Sequence, residues 1–299
     1  MLAAKTEERH ERAMGLDVMH PALALEVLAL GQQAAAKAVD AAMAPIATAA
    51  RMAADVLSAG GRLAYAGAGS SGLMAMADAL ELPGTYGIPN DKIVVLLAGG
   101  AASLTDLAGG YEDDTALARA DVAGAGIGAG DCLIAVSASG STPYALAAGD
   151  EACRRGARVV AMANNAGARL FEGADVAILL QTPPEVVSGS TRMGAATAQK
   201  IAFNMFSTLV GIHLGHVHDG HMVNLKADND KLRSRAMRIV ADISGVTPDA
   251  ASRHLAASSG SVKIAILLAA GARDVAAAQA ALDGAGQNLR RALSHVATH

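Results

Sequence analysis

Five short apolar runs, at 63–66, 93–98, 132–137, 159–162 and 176–180, recur between Ala-rich stretches with helical spacing. The runs are continuous rather than alternating, which suits strands buried on both faces, and the helices between them imply parallel strands. The expected fold is α/β: a doubly wound parallel five-stranded sheet with N-terminal helices and a small helical C-terminal domain. The expected boundaries are a helical segment at 1–58, the sheet domain at 59–218 and the helical domain at 219–299. Pro45 marks a kink or a boundary in the lead-in, and breaks are expected at 245–247 and 258–261. In such a sheet ligands sit at the carboxyl ends of the strands.

The loops at those ends are informative. The first run leads into Gly67-Ala68-Gly69-Ser70-Ser71-Gly72, where glycines permit a sharp turn into a helix expected to begin near Leu73. Free N–H groups at that helix start, with the hydroxyls of Ser70 and Ser71, would hold an anion without a metal. The third run ends in Ser137-Ala138-Ser139-Gly140-Ser141-Thr142, followed by Pro143, which suits the first turn of a helix. Ser137, Ser139 and Thr142 would surround an anion there. Ser and Gly are ordinary turn residues, so either loop alone says little. Two such loops on one sheet point to a phosphorylated small molecule, with Ser70 and Ser71 facing Ser139 and Thr142.

Two carboxylates follow different strands of the same sheet. Glu81 precedes a Pro83-Gly84 turn and is expected on the loop after the first helix, while Glu112 follows the second run. A pair flanking one substrate is the usual equipment for removing one proton and donating another. Composition alone favours solvated helix-end acids instead, and Asp113 and Asp114 suit the start of a helix.

Several classes are disfavoured. With aromatic residues at 2%, no Trp and a net charge of −4, neither a stacking platform nor a basic face for nucleic acid is present. Cys132 and Cys153 cannot form a disulfide framework, the N-terminus is charged, and no apolar run reaches membrane-spanning length, so a cytoplasmic protein is expected. The first loop satisfies GxGxxG, but no acid ends the second run to hold a ribose, and no Gly-rich loop ends in Lys-Ser/Thr, which disfavours NAD and ATP. His213, His216, His218 and His221 invite a metal, yet His216 and His218 cannot share a helical face and no Cys or Glu completes the set. They read as a polar helix end and turn.

Taken together, GAGSSG, Glu81 before PGTYG, AGG at 98–100 followed by YEDD, SASGSTPY and SGSTRMGAATAQK resemble N-acetylmuramic acid 6-phosphate etherases, of the sugar isomerase (SIS) domain superfamily. The resemblance runs from Thr6-Glu7-Glu8-Arg9 to the C-terminal helices. It implies an SIS α/β sandwich, usually a homodimer, that cleaves the D-lactyl ether of N-acetylmuramate 6-phosphate without metal or organic cofactor. It also implies that Glu81 protonates the departing lactate and Glu112 takes the C2 proton. Ser141 and Ser190, within the shared motifs, join Ser70, Ser71, Ser137, Ser139 and Thr142 as substrate or phosphate contacts. The chain departs from the family where SGRLG becomes SGLMA, SGRTPY has Ser141, and SRMKAG becomes TRMGAA. Three cationic side chains are thereby missing, and the N-terminal TE-RNP pattern survives as TEERHE. Two other functions remain open at this level: a non-catalytic sugar-phosphate sensor, or an aldose-ketose isomerase that also moves a C2 proton.

Overall fold

The computed structural model describes residues 5–107 and 109–296. Two helices, α1 (Pro21–Lys37) and α2 (Met43–Ser58), lead in, with a 3₁₀ turn at Asp40–Ala42 between them. The break therefore precedes Pro45, which sits in the first turn of α2, where a missing N–H costs nothing. There follow β1 (Leu63–Gly67), α3 (Gly69–Tyr86), β2 (Ile93–Leu97), α4 (Thr115–Gly124), β3 (Cys132–Ser137), α5 (Pro143–Arg154), β4 (Arg158–Ala163), β5 (Val176–Leu179) and α6 (Gly194–His213). All five strands are parallel, in the order β2-β1-β3-β4-β5. The order reverses between β1 and β3, so the loops after these two strands flank the crevice where such sheets bind ligands.

Both faces of the sheet are covered, as the continuous apolar runs require. On one face Ala64, Ala66, Leu133, Ala135, Val159 and Ala161 pack against Ala118 and Val122 of α4 and Tyr144 and Ala148 of α5. Tyr144 donates to Asp121 Oδ2 at 2.6 Å, tying α5 to α4. The alternate strand residues Leu63, Tyr65, Ile134, Val160 and Met162 are fully buried too, as are Ile46, Ala49, Ala50 and Ala53 of α2. Tyr65 meets Phe203 of α6 with ring centroids 5.9 Å apart, a tilted pair.

A polar clasp is buried among these groups. Asp78 of α3 accepts from Ser207 Oγ at 2.8 Å and Asn204 Nδ2 at 2.9 Å, both on α6, and from the Tyr65 hydroxyl at 3.5 Å. Burial raises the Asp78 carboxyl to about 6, and the hydrogen bonds oppose only part of that rise.

The described residues divide into two compact units, one holding those up to Ala79 with Asp91–Ser207, the other Leu80–Asn90 with those from Thr208 onward. The second unit adds a short antiparallel pair, β6 (Val217–His218) and β7 (His221–Met222), then α7 (Asp230–Ser244), α8 (Pro248–Ala257), α9 (Val262–Ala269), α10 (Val275–Gly284) and α11 (Leu289–Val296). The histidine run thus forms a helix end and a hairpin. Gly245 ends α7 in the left-handed conformation, Thr247 caps α8 and Ser261 caps α9, at the expected breaks. Val223, Ile239, Val240, Ile264, Leu267 and Leu282 form the core of this unit. Among the described residues no helix is long and apolar enough to cross a membrane.

Candidate active site

The first loop is shorter than its glycines suggest. Helix α3 begins at Gly69, not near Leu73, because the Gly72 N–H already bonds to the Ala68 carbonyl at 2.9 Å. Ser70 and Ser71 consequently lie in the first helical turn, where backbone N–H groups have no intrahelical acceptor and the helix dipole favours an anion. The loop after β3 is held from beneath by Ser137, which is buried. Its Oγ accepts from Gly140 N at 3.0 Å and pairs with Thr142 Oγ1 at 2.8 Å and Ser139 Oγ at 3.2 Å. Thr142 stands at the N-cap of α5 without using its side chain to cap it.

Both loops open into one cavity of about 340 Å³ lined by Ser70, Ser71, Ser139, Thr142, Glu112 and Glu7, with Leu107, Gly189 and Thr191. Among the described residues no lysine or arginine lines it. An anion here would be held by hydroxyls and helix N–H groups, in keeping with the missing cations. By contrast, the N-terminus of α6 is already filled, since Glu185 accepts from Gly194 N and Ala195 N at 2.8 Å each.

Glu112 is half-buried on the 3₁₀ turn Gly109–Asp113, and Asp114 rather than Glu112 caps α4, accepting from Leu117 N at 2.8 Å. Its carboxylate lies over the bare backbone of Gly69, where a Cβ would come within 2.6 Å of Oε1 and where φ is +52°. The positive φ is what favours glycine at 69, and its bare backbone lets the Glu112 carboxylate lie close. Burial, and then the charge of Asp113, raise the Glu112 carboxyl above the ordinary glutamate value.

Four of the residues anticipated from the sequence do not line the cavity. Ser137 supports its loop. Ser141 is exposed and donates to Ser139 Oγ at 3.0 Å, and Ser190 lies between the lining residues Gly189 and Thr191. Glu81 is exposed, twelve residues past Gly69 on the same helix. It is not on a loop, because α3 runs through Pro83 to Tyr86, whose hydroxyl bonds to Thr208 Oγ1 at 2.8 Å and whose carbonyl accepts from Asn224 Nδ2 at 2.9 Å. These contacts outweigh the helix-breaking tendency of Pro83. Glu7, conversely, lines the cavity without having been singled out. Its signal was the TEERHE fragment.

The SIS domain family matches residues 26–164. Among solved structures, a phosphoheptose isomerase from Francisella tularensis aligns with 65% of this chain and 98% of its own, at 22% identity and TM-score 0.47. The N-acetylmuramic acid 6-phosphate etherase of Deinococcus radiodurans is 41% identical over 97% of this chain and 95% of its own. That of Streptomyces avermitilis is 42% identical over 92% of this chain and 88% of its own. At that identity, over nearly the whole length of both chains, this chain belongs to the N-acetylmuramic acid 6-phosphate etherase family.

Proposed function

We propose that this chain cleaves the D-lactyl ether of N-acetylmuramate 6-phosphate by elimination and hydration, giving N-acetylglucosamine 6-phosphate and D-lactate. The observation that carries the reading is the cavity in which an anion cradle and a carboxylate of raised pKa meet, in a chain related over its length to proteins of that name. A sensor has no need of that carboxylate, and the relatives' names favour the etherase over an isomerase.

The phosphate rests on the first turn of α3 and the hydroxyls of Ser70, Ser71, Ser139 and Thr142. Ring opening places an aldehyde beside C2 and makes its proton acidic. Glu112 removes that proton, and the lactyl oxygen on C3, a poor leaving group as an alkoxide, departs as the hydroxyl of lactate with a proton from Glu81. Elimination gives lactate and an unsaturated aldehyde. Water then adds its hydroxyl at C3 and a proton returns to C2, so the balance is one water consumed. A base whose pKa lies nearer the working pH transfers protons more effectively, and desolvation of Glu112 moves it in that direction.

The active form is a homodimer in which a second copy brings Glu81 to the cavity. Support comes from surface that one chain leaves uncovered: Leu80, beside Glu81, is 65% exposed, and α1 exposes Leu23, Leu25 and Leu30. Light scattering should give a dimer at micromolar concentration, and a monomer that is fully active would overturn this arrangement. For the reaction itself, incubation with N-acetylmuramate 6-phosphate and an enzymatic D-lactate assay is decisive. Release of D-lactate with stoichiometric N-acetylglucosamine 6-phosphate is expected, and saturable binding without turnover would assign the chain to the sensors.

A further inference from the structure

The second carboxylate that the chain itself places in the cavity is Glu7, and the segment carrying it is fastened at several points. Thr6 is fully buried; its N–H donates to Asn165 Oδ1 at 3.3 Å, and Asn165 Nδ2 donates to Thr6 Oγ1 at 3.1 Å. The same Asn165 amide donates to the Ala138 carbonyl at 3.0 Å, within the hydroxyl loop after β3. On the other side Ser188 Oγ donates to the Glu7 carbonyl at 2.9 Å, and Gly189 N donates to the Thr6 carbonyl at 3.2 Å. The backbone of an N-terminal segment is thus locked to two loops of the site, although it belongs to no sheet or α-helix. Such segments are ordinarily loose unless tied down.

The Glu7 side chain is exposed and lies against Gly189 at the cavity. Gly189, with φ +73°, lies under the Glu7 carboxylate, and a Cβ there would stand 3.1 Å from Oε2. This repeats the relation between Gly69 and Glu112. Among the described residues no ion pair or side-chain hydrogen bond engages the Glu7 carboxylate, so its acceptor capacity is open toward the cavity it lines.

We infer that Glu7 is a substrate-positioning and specificity-determining residue, whose carboxylate accepts hydrogen bonds from the neutral polar groups of the sugar phosphate, its hydroxyls or its amide N–H. The inference rests on the preceding reading only in taking a sugar phosphate as the ligand. A carboxylate repels the phosphate and the lactyl carboxylate alike, which leaves the uncharged part of the sugar as its partner. In a cavity without a lined cation, such a group would select sugar phosphates over other phosphate compounds. It accepts several hydrogen bonds at once, each stronger than one between neutral groups.

The test is calorimetric binding of N-acetylglucosamine 6-phosphate and of inorganic phosphate to the full chain, as wild type, Glu7→Gln, Glu7→Ala and Thr6→Val. For Glu7→Ala the sugar phosphate should bind roughly tenfold to a hundredfold more weakly, the loss expected for hydrogen bonds to a charged group. Inorganic phosphate should bind as tightly as to wild type or more tightly, since a negative charge has gone. Glu7→Gln should fall between, and Thr6→Val, which keeps the carboxylate and the backbone bond to Asn165 but removes the bond from Asn165 Nδ2 to the Thr6 hydroxyl, should reproduce part of the loss. Equal sugar phosphate affinity in wild type and Glu7→Ala would overturn the inference. So would equal weakening of both ligands, which would mark Glu7 as structural. D-lactate release is measured on the same wild-type sample: binding without release refutes the reaction assignment while leaving the comparison at Glu7 intact.

Discussion

Replacing Asp78 by asparagine should stabilise the protein at neutral pH and not at acid pH. The carboxyl is 5% exposed, and burial raises it from 3.8 to about 6. A group that binds its proton more tightly when folded contributes stability that is complete below the unfolded pKa and is lost as pH rises through the folded one. At about 1.4 kcal/mol per unit, the full loss is about 3 kcal/mol. Roughly 1 kcal/mol of it is gone by pH 4.5, so the remaining change to pH 8 is about 2 kcal/mol. The amide introduced by Asp78→Asn would titrate nowhere in this range. Its Oδ1 would still accept from Ser207 and Asn204, and its Nδ2 could donate toward Tyr65, so the clasp between α3 and α6 survives without the charge. The assay is urea unfolding of both proteins at the two pH values, followed by circular dichroism. With a urea slope of about 2 to 3 kcal/mol per molar, the variant's midpoint should gain on the wild type by roughly 1 M between pH 4.5 and pH 8. Other carboxylates titrate in both proteins and cancel in the difference. A midpoint difference independent of pH would refute the argument that burial dominates at Asp78.

Two further outcomes concern the cavity. Ser139→Ala and Thr142→Ala should each weaken sugar-phosphate binding, by roughly 1.5 to 3 kcal/mol if the hydroxyl contacts the charged phosphate, with thermal unfolding little changed; unchanged affinity in both would exclude this loop as the phosphate site. The Glu112 base must be ionised to act, so kcat/KM should fall as pH drops through a midpoint above the ordinary glutamate value of 4.5, and Asp113→Asn should lower that midpoint. A midpoint unaffected by Asp113→Asn would remove the neighbouring charge from the account.

The strands were legible because each is a continuous apolar run of the right length, a pattern set by burial on both faces. Caps at Thr247 and Ser261 were legible for a local reason too, since their hydroxyls serve the helix they begin. Local signals failed where distant contacts decide. Pro83 reads as a helix breaker, yet α3 continues past it to Tyr86, held by contacts to Thr208 and Asn224 far along the chain. Asp78 has no local sequence mark that sets it apart, and its burial depends on Ser207 and Asn204, more than a hundred residues later. The two hydroxyl loops, which do open into one cavity, were legible through their Gly and Ser content. Glu7 was visible only as part of the TEERHE fragment, because its placement depends on the pairing of Thr6 with Asn165, 159 residues away. The caps Asp274 and Asn288, which divide the last helices, carried an N-cap signal that the apolar Ala-rich background concealed.

The central claim is that Glu112 serves C2 and Glu81 serves the ether oxygen. Proton exchange at C2 of N-acetylglucosamine 6-phosphate in deuterated water, followed by NMR beside D-lactate release, tests it most directly. Exchange needs only a base and a stabilised enolate, whereas lactate loss also needs a proton delivered to a poor leaving group, and positioned acid catalysis is typically worth about 10²- to 10⁴-fold. Glu81→Gln should therefore keep C2 exchange and lose lactate release, and Glu112→Gln should lose both. A Glu112→Gln protein that exchanges the C2 proton at the wild-type rate, or a Glu81→Gln protein that releases lactate at the wild-type rate, would contradict the account.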